Sequence, residues 1–116
     1  MYQTAMNEEE VGWEPTGLAG VSLRRLSGDA ATGASVALYK FEPGATVPAH
    51  WHSAADETGY VLSGDFIENG MPFGPGTVLY GKAGTLHGPH HTKSGCIVLF
   101  TLSSQLDFNV AHAESD

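Results

Sequence analysis

This chain has almost no thiol chemistry available to it. Cys96 is its single cysteine, so no intrachain disulfide can staple the fold. Basic residues are scarce too: five lysines and arginines stand against thirteen aspartates and glutamates, a formal net charge of −8. No basic stripe exists to neutralise phosphates, which argues against a nucleic-acid partner. The same charge disfavours an anionic membrane surface. No apolar run approaches the ~20 residues of a membrane-spanning helix. The N-terminus lacks the basic and apolar regions of a secretion signal, so a cytoplasmic protein is expected. Missing as well is any interior window with apolar residues at helical spacing.

What the chain does have is glycine and proline, fifteen and six of them, scattered between short apolar runs. They read as tight turns between strands. Alternation at period two marks Val21–Arg24 and, over a longer stretch, Ser35–Phe41. Further strands are expected at Thr46–His52, Glu57–Leu62, Phe66–Glu68, Thr77–Tyr80 and Cys96–Leu102. Strands at such short intervals predict an all-β barrel or sandwich, and a double-sheet jelly roll would hide the sheet edges. The length fits one domain. Its expected organisation is a flexible acidic arm over 1–12, a β-barrel domain over 13–108 and a flexible acidic tail over 109–116, which holds His112. Cys96, inside an apolar strand, reads as a small buried hydrophobe. Arg24 and Arg25 read as a solvated pair.

The chemistry concentrates between Gly44 and His91. His50 and His52 are two apart, so a strand points both to one face and turns Trp51 to the other. Glu57 follows a short loop that brings the chain back beside them, with Gly59 and Val61 sharing its inward face. His87 arrives from a later hairpin. Three imidazoles and one carboxylate make a site for one divalent transition metal per chain. Such a set leaves coordination positions for water, O₂ or substrate, whereas a structural zinc site closes its tetrahedron and favours sulfur. The ligand types admit Fe, Zn, Ni, Mn, Co or Cu, with Fe(II) favoured for catalysis. Asp56 competes with Glu57 for the carboxylate position; Glu57 reaches further and is preferred. His90 and His91 are expected in a solvent-touching loop at the mouth, with a supporting or proton-carrying role as the alternative. Lys82 is expected to be an exposed turn residue.

These residues resemble the cupin superfamily. Gly44, His50, His52, Glu57 and Gly64 fit its first motif, G(X)5HXH(X)3,4E(X)6G, without a gap. Gly76, Gly84 and His87 fit the second, G(X)5PXG(X)2H(X)3N, with Lys82 at the proline position and His91 at the asparagine position. The segments Trp13–Pro15, Glu42–Ala45, Glu57–Gly64 and Gly84–His87 are similar to ChrR-like cupins and to dioxygenases of diketones and aromatic ketones. The resemblance implies a double-stranded β-helix barrel, ligands His50, His52, Glu57 and His87, and a homodimer. It implies Fe(II)-dependent oxidative cleavage of a carbon–carbon bond in a diketone or aromatic ketone, with Glu57 as ligand or base. Two alternatives stay open: a metal-dependent isomerase or lyase on a sugar or organic acid, and a non-catalytic metal-bearing sensor. The helical sigma-binding domain of the ChrR anti-sigma proteins has no counterpart here, so that role is not expected.

Overall fold

The computed structural model describes residues 1–111, and His112 lies outside them. The strands are β1 (Glu14–Pro15), β2 (Val21–Gly28), β3 (Ser35–Phe41), β4 (Thr46–Val47), β5 (His50–Trp51) and β6 (Glu57–Gly64). They continue as β7 (Phe66–Glu68), β8 (Met71–Phe73), β9 (Val78–Gly81), β10 (His90–His91), β11 (Cys96–Leu102) and β12 (Asn109–Val110). A 3₁₀ turn at Glu8–Glu10 is the only helical element among the described residues. None of their helices is long and apolar enough to cross a membrane.

A six-stranded sheet runs β1-β2-β3-β11-β6-β9, a four-stranded sheet β4-β10-β7-β8, and β12 pairs with β5. The ladders do not close into one ring; the walls meet through side chains in a jelly-roll arrangement. The sequence alternation explains how. On β11, Cys96, Val98, Phe100 and Leu102 are buried while the residues between them are less so, as period two requires. Cys96, Val98 and Phe100 meet Phe41 and Val61 from their own sheet and Val47 and Phe66 from the other. Phe41 and Phe66 cross the gap edge-to-face with centroids 5.8 Å apart. Burying such a side chain contributes about 1.5–3 kcal/mol. Burial pushes the Cys96 thiol up to about 11, which fits a packing role and not a nucleophile.

Glycine matters at two places here. Gly59 lies under the Phe100 ring, where a Cβ would come within 2.6 Å of Cε1. Gly64 ends β6 at φ +79°, a left-handed conformation that favours glycine. Asp65, next in sequence, accepts the backbone N–H groups of Lys93 and Ser94, at 2.8 and 2.9 Å. These bonds hold its carboxyl well below the usual range and pin the Thr92–Gly95 turn to the β6–β7 turn.

Residues 7–10 and 109–110 make contacts with the barrel or within their own turn. Asn7 and Glu10 form a capping box around the Glu8–Glu10 turn. Glu8 reaches Arg24 at 3.6 Å, and the Arg24 guanidinium lies 4.5 Å from the centre of the Trp13 ring. Arg24 is therefore a packing residue on β2 rather than half of a solvated pair. Asn109 and Val110, expected in the tail, pair with Trp51 and His50.

Candidate metal centre

His50 and His87 sit opposite each other in an isolated antiparallel bridge. The N–H of each donates to the carbonyl of the other at 2.9 Å. This links the β5 segment to the hairpin before β10, some 37 residues later. The Gly84 N–H donates to the His52 carbonyl at 2.8 Å, and the Ala83 N–H to Asp56 Oδ1 at 2.8 Å. Asp56 is thus a pin for the turn before His87, not the solvated loop residue expected of it. Lys82 in the same turn is exposed, as expected.

The three imidazoles converge on their Nε2 atoms. His87 Nε2 lies 3.0 Å from His50 Nε2 and 3.2 Å from His52 Nε2. Glu57, at the start of β6, brings Oε1 to 3.3 Å from His52 Nε2 and Oε2 to 3.9 Å from His87 Nε2. Gly59 and Val61 follow on the buried face and Tyr60 and Leu62 on the exposed one, as the alternation requires. His50 and His52 are each only 4 % exposed.

Backbone carbonyls set the tautomers. His50 Nδ1 contacts the Pro48 carbonyl at 2.8 Å, and His52 Nδ1 the Asp107 carbonyl at 2.6 Å. A carbonyl only accepts, so each Nδ1 carries the proton and donates it. Each Nε2 is left as the ring nitrogen that binds a cation or a further proton. Neutral nitrogens facing one another at 3 Å repel unless something positive sits between them. Two donors at right angles about an ion, with bonds of about 2.1 Å, lie about 3.0 Å apart. The donor set and its spacing therefore fit one first-row metal ion.

The electrostatics agree. Burial pushes His50 down to about 4, and His87, His90 and His52 push it the same way against the Pro48 carbonyl. Burial also lowers His87, helped by His52 and His90 and opposed by Glu57. His52 goes the other way: burial would lower it, but Glu57 and the Asp107 carbonyl outweigh that and raise it. Burial would raise Glu57, yet the bond from His52 and the nearby imidazoles hold it low.

Two elements escaped the sequence reading. The first is the segment after β11. Asp107 Oδ1 accepts the Ser53 N–H at 2.7 Å, and Asn109 Nδ2 donates to the Trp51 carbonyl at 3.2 Å. Phe108 lies against His50. The second is His90, which was expected to touch solvent with His91. Both stand on β10, between β4 and β7, and His90 is 8 % exposed.

Two cavities flank the centre. The larger, about 480 Å³, reaches His50, His52, Glu57 and His90. Its walls are mostly apolar, among them Leu23, Phe41, Val47, Phe100 and Phe108, with Arg25, Glu14 and the Tyr39 phenol as further polar groups. Tyr39 is raised by burial and by the Glu57 carboxylate. The smaller, about 270 Å³, touches Glu57, Glu68, His87 and His90 between Phe66, Phe73 and Leu79.

A jelly roll with three imidazoles and a carboxylate converging inside it is a cupin. The chain belongs to the ChrR Cupin-like domain family, whose model matches residues 2–107 and so takes in most of the expected N-terminal arm. No curated protein is significantly similar to it in sequence. Among solved structures it resembles the polyketide cyclase RemF from Streptomyces resistomycificus, with a TM-score of 0.78 and 17 % identity over 99 % of this chain and 89 % of that one. It resembles KdgF from Halomonas sp., with a TM-score of 0.72 and 22 % identity over 86 % and 94 %. It also resembles an acetylacetone dioxygenase from Acinetobacter johnsonii, with a TM-score of 0.69 and 14 % identity over 89 % and 74 %. At these identities the likeness is one of fold.

Proposed function

We propose that this protein is a mononuclear non-haem metal enzyme acting on a small, mainly apolar organic molecule. The reaction that suits its site is O₂-dependent cleavage of a carbon–carbon bond in a diketone or aromatic ketone. One observation carries the reading: three Nε2 atoms and the Glu57 carboxylate converge at a cavity of about 480 Å³ with largely apolar walls. Pockets of that size and character suit small organic ligands. A polyhydroxylated sugar would leave most of its hydroxyls without partners there, which favours the ketone over a sugar substrate.

His50, His52, His87 and Glu57 would hold the ion. Bound Fe(II) would supply the O₂ chemistry and polarise the substrate's carbonyl oxygens. The protein's share is the rest. Leu23, Phe41, Val47 and Phe100 receive the apolar body and exclude water. Glu57 Oε2 is the base available to take the proton between two carbonyls, leaving the enolate. The similarity in fold to an acetylacetone dioxygenase supports this choice.

The test is anaerobic loading with Fe(II), followed by O₂-uptake measurements against a panel of 1,3-diketones and hydroxylated aromatic ketones. Consumption that scales with iron content is expected. No consumption at full iron occupancy overturns the reading. Turnover without O₂ would indicate isomerase or lyase chemistry, and tight binding without product a sensor.

A further inference from the structure

His90 occupies a variable position of the second motif and none of its ligand positions, yet it is built like a ligand. Its strand pairs it across from Glu68 on β7 and Val47 on β4. Nδ1 lies 2.7 Å from Glu68 Oε1, off the line of a well-aligned bond. Glu68 Oε2 is itself held by the Gly88 N–H at 2.9 Å. A carboxylate behind one ring nitrogen fixes the ring and makes the other nitrogen a better donor. The imidazole is 10 % exposed and packs against Phe66, with centroids 4.8 Å apart.

Its other neighbours are the centre itself. The His90 ring lies 5.3 Å from that of His50 and 5.6 Å from that of His87, centroid to centroid. One ring nitrogen from each of His50, His87 and His90 falls within 4.8 Å of the others. Donor atoms on opposite sides of one ion lie about 4.2 Å apart, so this spacing is of the order that a shared ion requires. A second triad, His52, Glu57 and His87, meets the same limit. The two triads share His87. His90 also borders both cavities, as do Glu57 and Phe100.

We propose that His90 is a fifth protein donor to the metal centre, which therefore offers two overlapping seats: His52–Glu57–His87 and His50–His87–His90. The proposal rests on the metal-centre reading given above. Its consequence is that Glu57 can leave the ion while imidazoles alone still hold it. That frees the carboxylate to work as a base, and it gives Glu68 a purpose as the residue that orients His90.

The experiment uses the full-length protein stripped of metal and titrated with Co(II). It reads stoichiometry, affinity by chelator competition, and the visible spectrum of the bound ion. H90Q is expected to bind one Co(II) at least about 10-fold more weakly, with a changed spectrum. H52A is expected to keep one weakly held ion, and H52A/H90Q to keep none. A wild-type spectrum and affinity in H90Q, or equal retention by H52A and the double variant, overturns the fifth donor. If H90Q does not fold, E68Q takes its place: a weakened site with a changed spectrum supports the proposal, and an unchanged one overturns it. Wild type that takes up no Co(II) sinks the metal centre and this proposal together. One bound ion in wild type with H90Q unaltered sinks only the latter.

Discussion

The Phe108 ring stacks on the imidazole of His50, with centroids 4.3 Å apart and planes 26° apart. One residue earlier, the Asp107 carbonyl accepts the hydrogen bond from His52 Nδ1. Two of the four expected ligands are thus oriented by a segment far along the chain that supplies no ligand of its own. F108A removes the stacked ring and keeps every donor atom. Metal affinity is expected to fall about 10-fold, with little change in the melting temperature of the apo protein. Chelator competition and calorimetry check both halves.

The converging Nε2 atoms predict that the ion is part of the folded protein's stability. At an ion concentration 100 times Kd, binding adds about 2.7 kcal/mol. In a domain of this size that raises Tm by roughly 10 °C. Alanine at His50, His52 and His87 together should abolish both stoichiometric metal and this difference. Elemental analysis and thermal scans with and without chelator measure it; equal metal content in the triple variant contradicts the assignment.

Acid should weaken the apo protein in a defined window. His50 titrates near 4 when folded and near 6.5 when unfolded. Between those values the unfolded chain binds a proton that the folded one refuses, so stability falls as pH drops from 6.5 to 4, by at most about 3 kcal/mol. Glu57, held low, adds stability above its ordinary value that is lost as pH falls through its depressed one. His52 works the other way: its contribution is full below 6.5 and is lost as pH rises through its raised value. H50Q should flatten the acid side of the Tm–pH curve, and scans of the chelated protein from pH 4 to 8 read this.

G59A should destabilise the domain by about 1–3 kcal/mol. The added methyl would enter the Phe100 ring at 2.6 Å inside a close-packed wall. Denaturant unfolding measures the loss. G44A makes a control of another kind, since a Cβ at Gly44 meets nothing within 4 Å, although its φ of +84° still carries backbone strain.

Much of the centre was legible because it rests on local rules. Two residues of spacing put His50 and His52 on one face, the β6 register put Glu57 beside them, and alternation turned Gly59 and Val61 inward. What escaped depends on long-range pairing, to which period is blind. Asp107 and Phe108 reach the site only because β12 pairs with β5, 58 residues away from Asn109 to Trp51. His90 sits beside Gly88 and Pro89, whose turn chemistry masks a two-residue strand held by β4 and β7. Asp56 read as loop because its partner, Ala83, belongs to a different hairpin.

The pairing of β12 with β5 also bears on the order of events during synthesis. His50 and His52 leave the ribosome early, but the carbonyl and the ring that steady them emerge only with Asp107 and Phe108. A nascent chain must therefore carry its histidines half-arranged until Asp107 and Phe108 are made. The site's order in synthesis is therefore set by the strand that steadies it, not by the histidines that compose it.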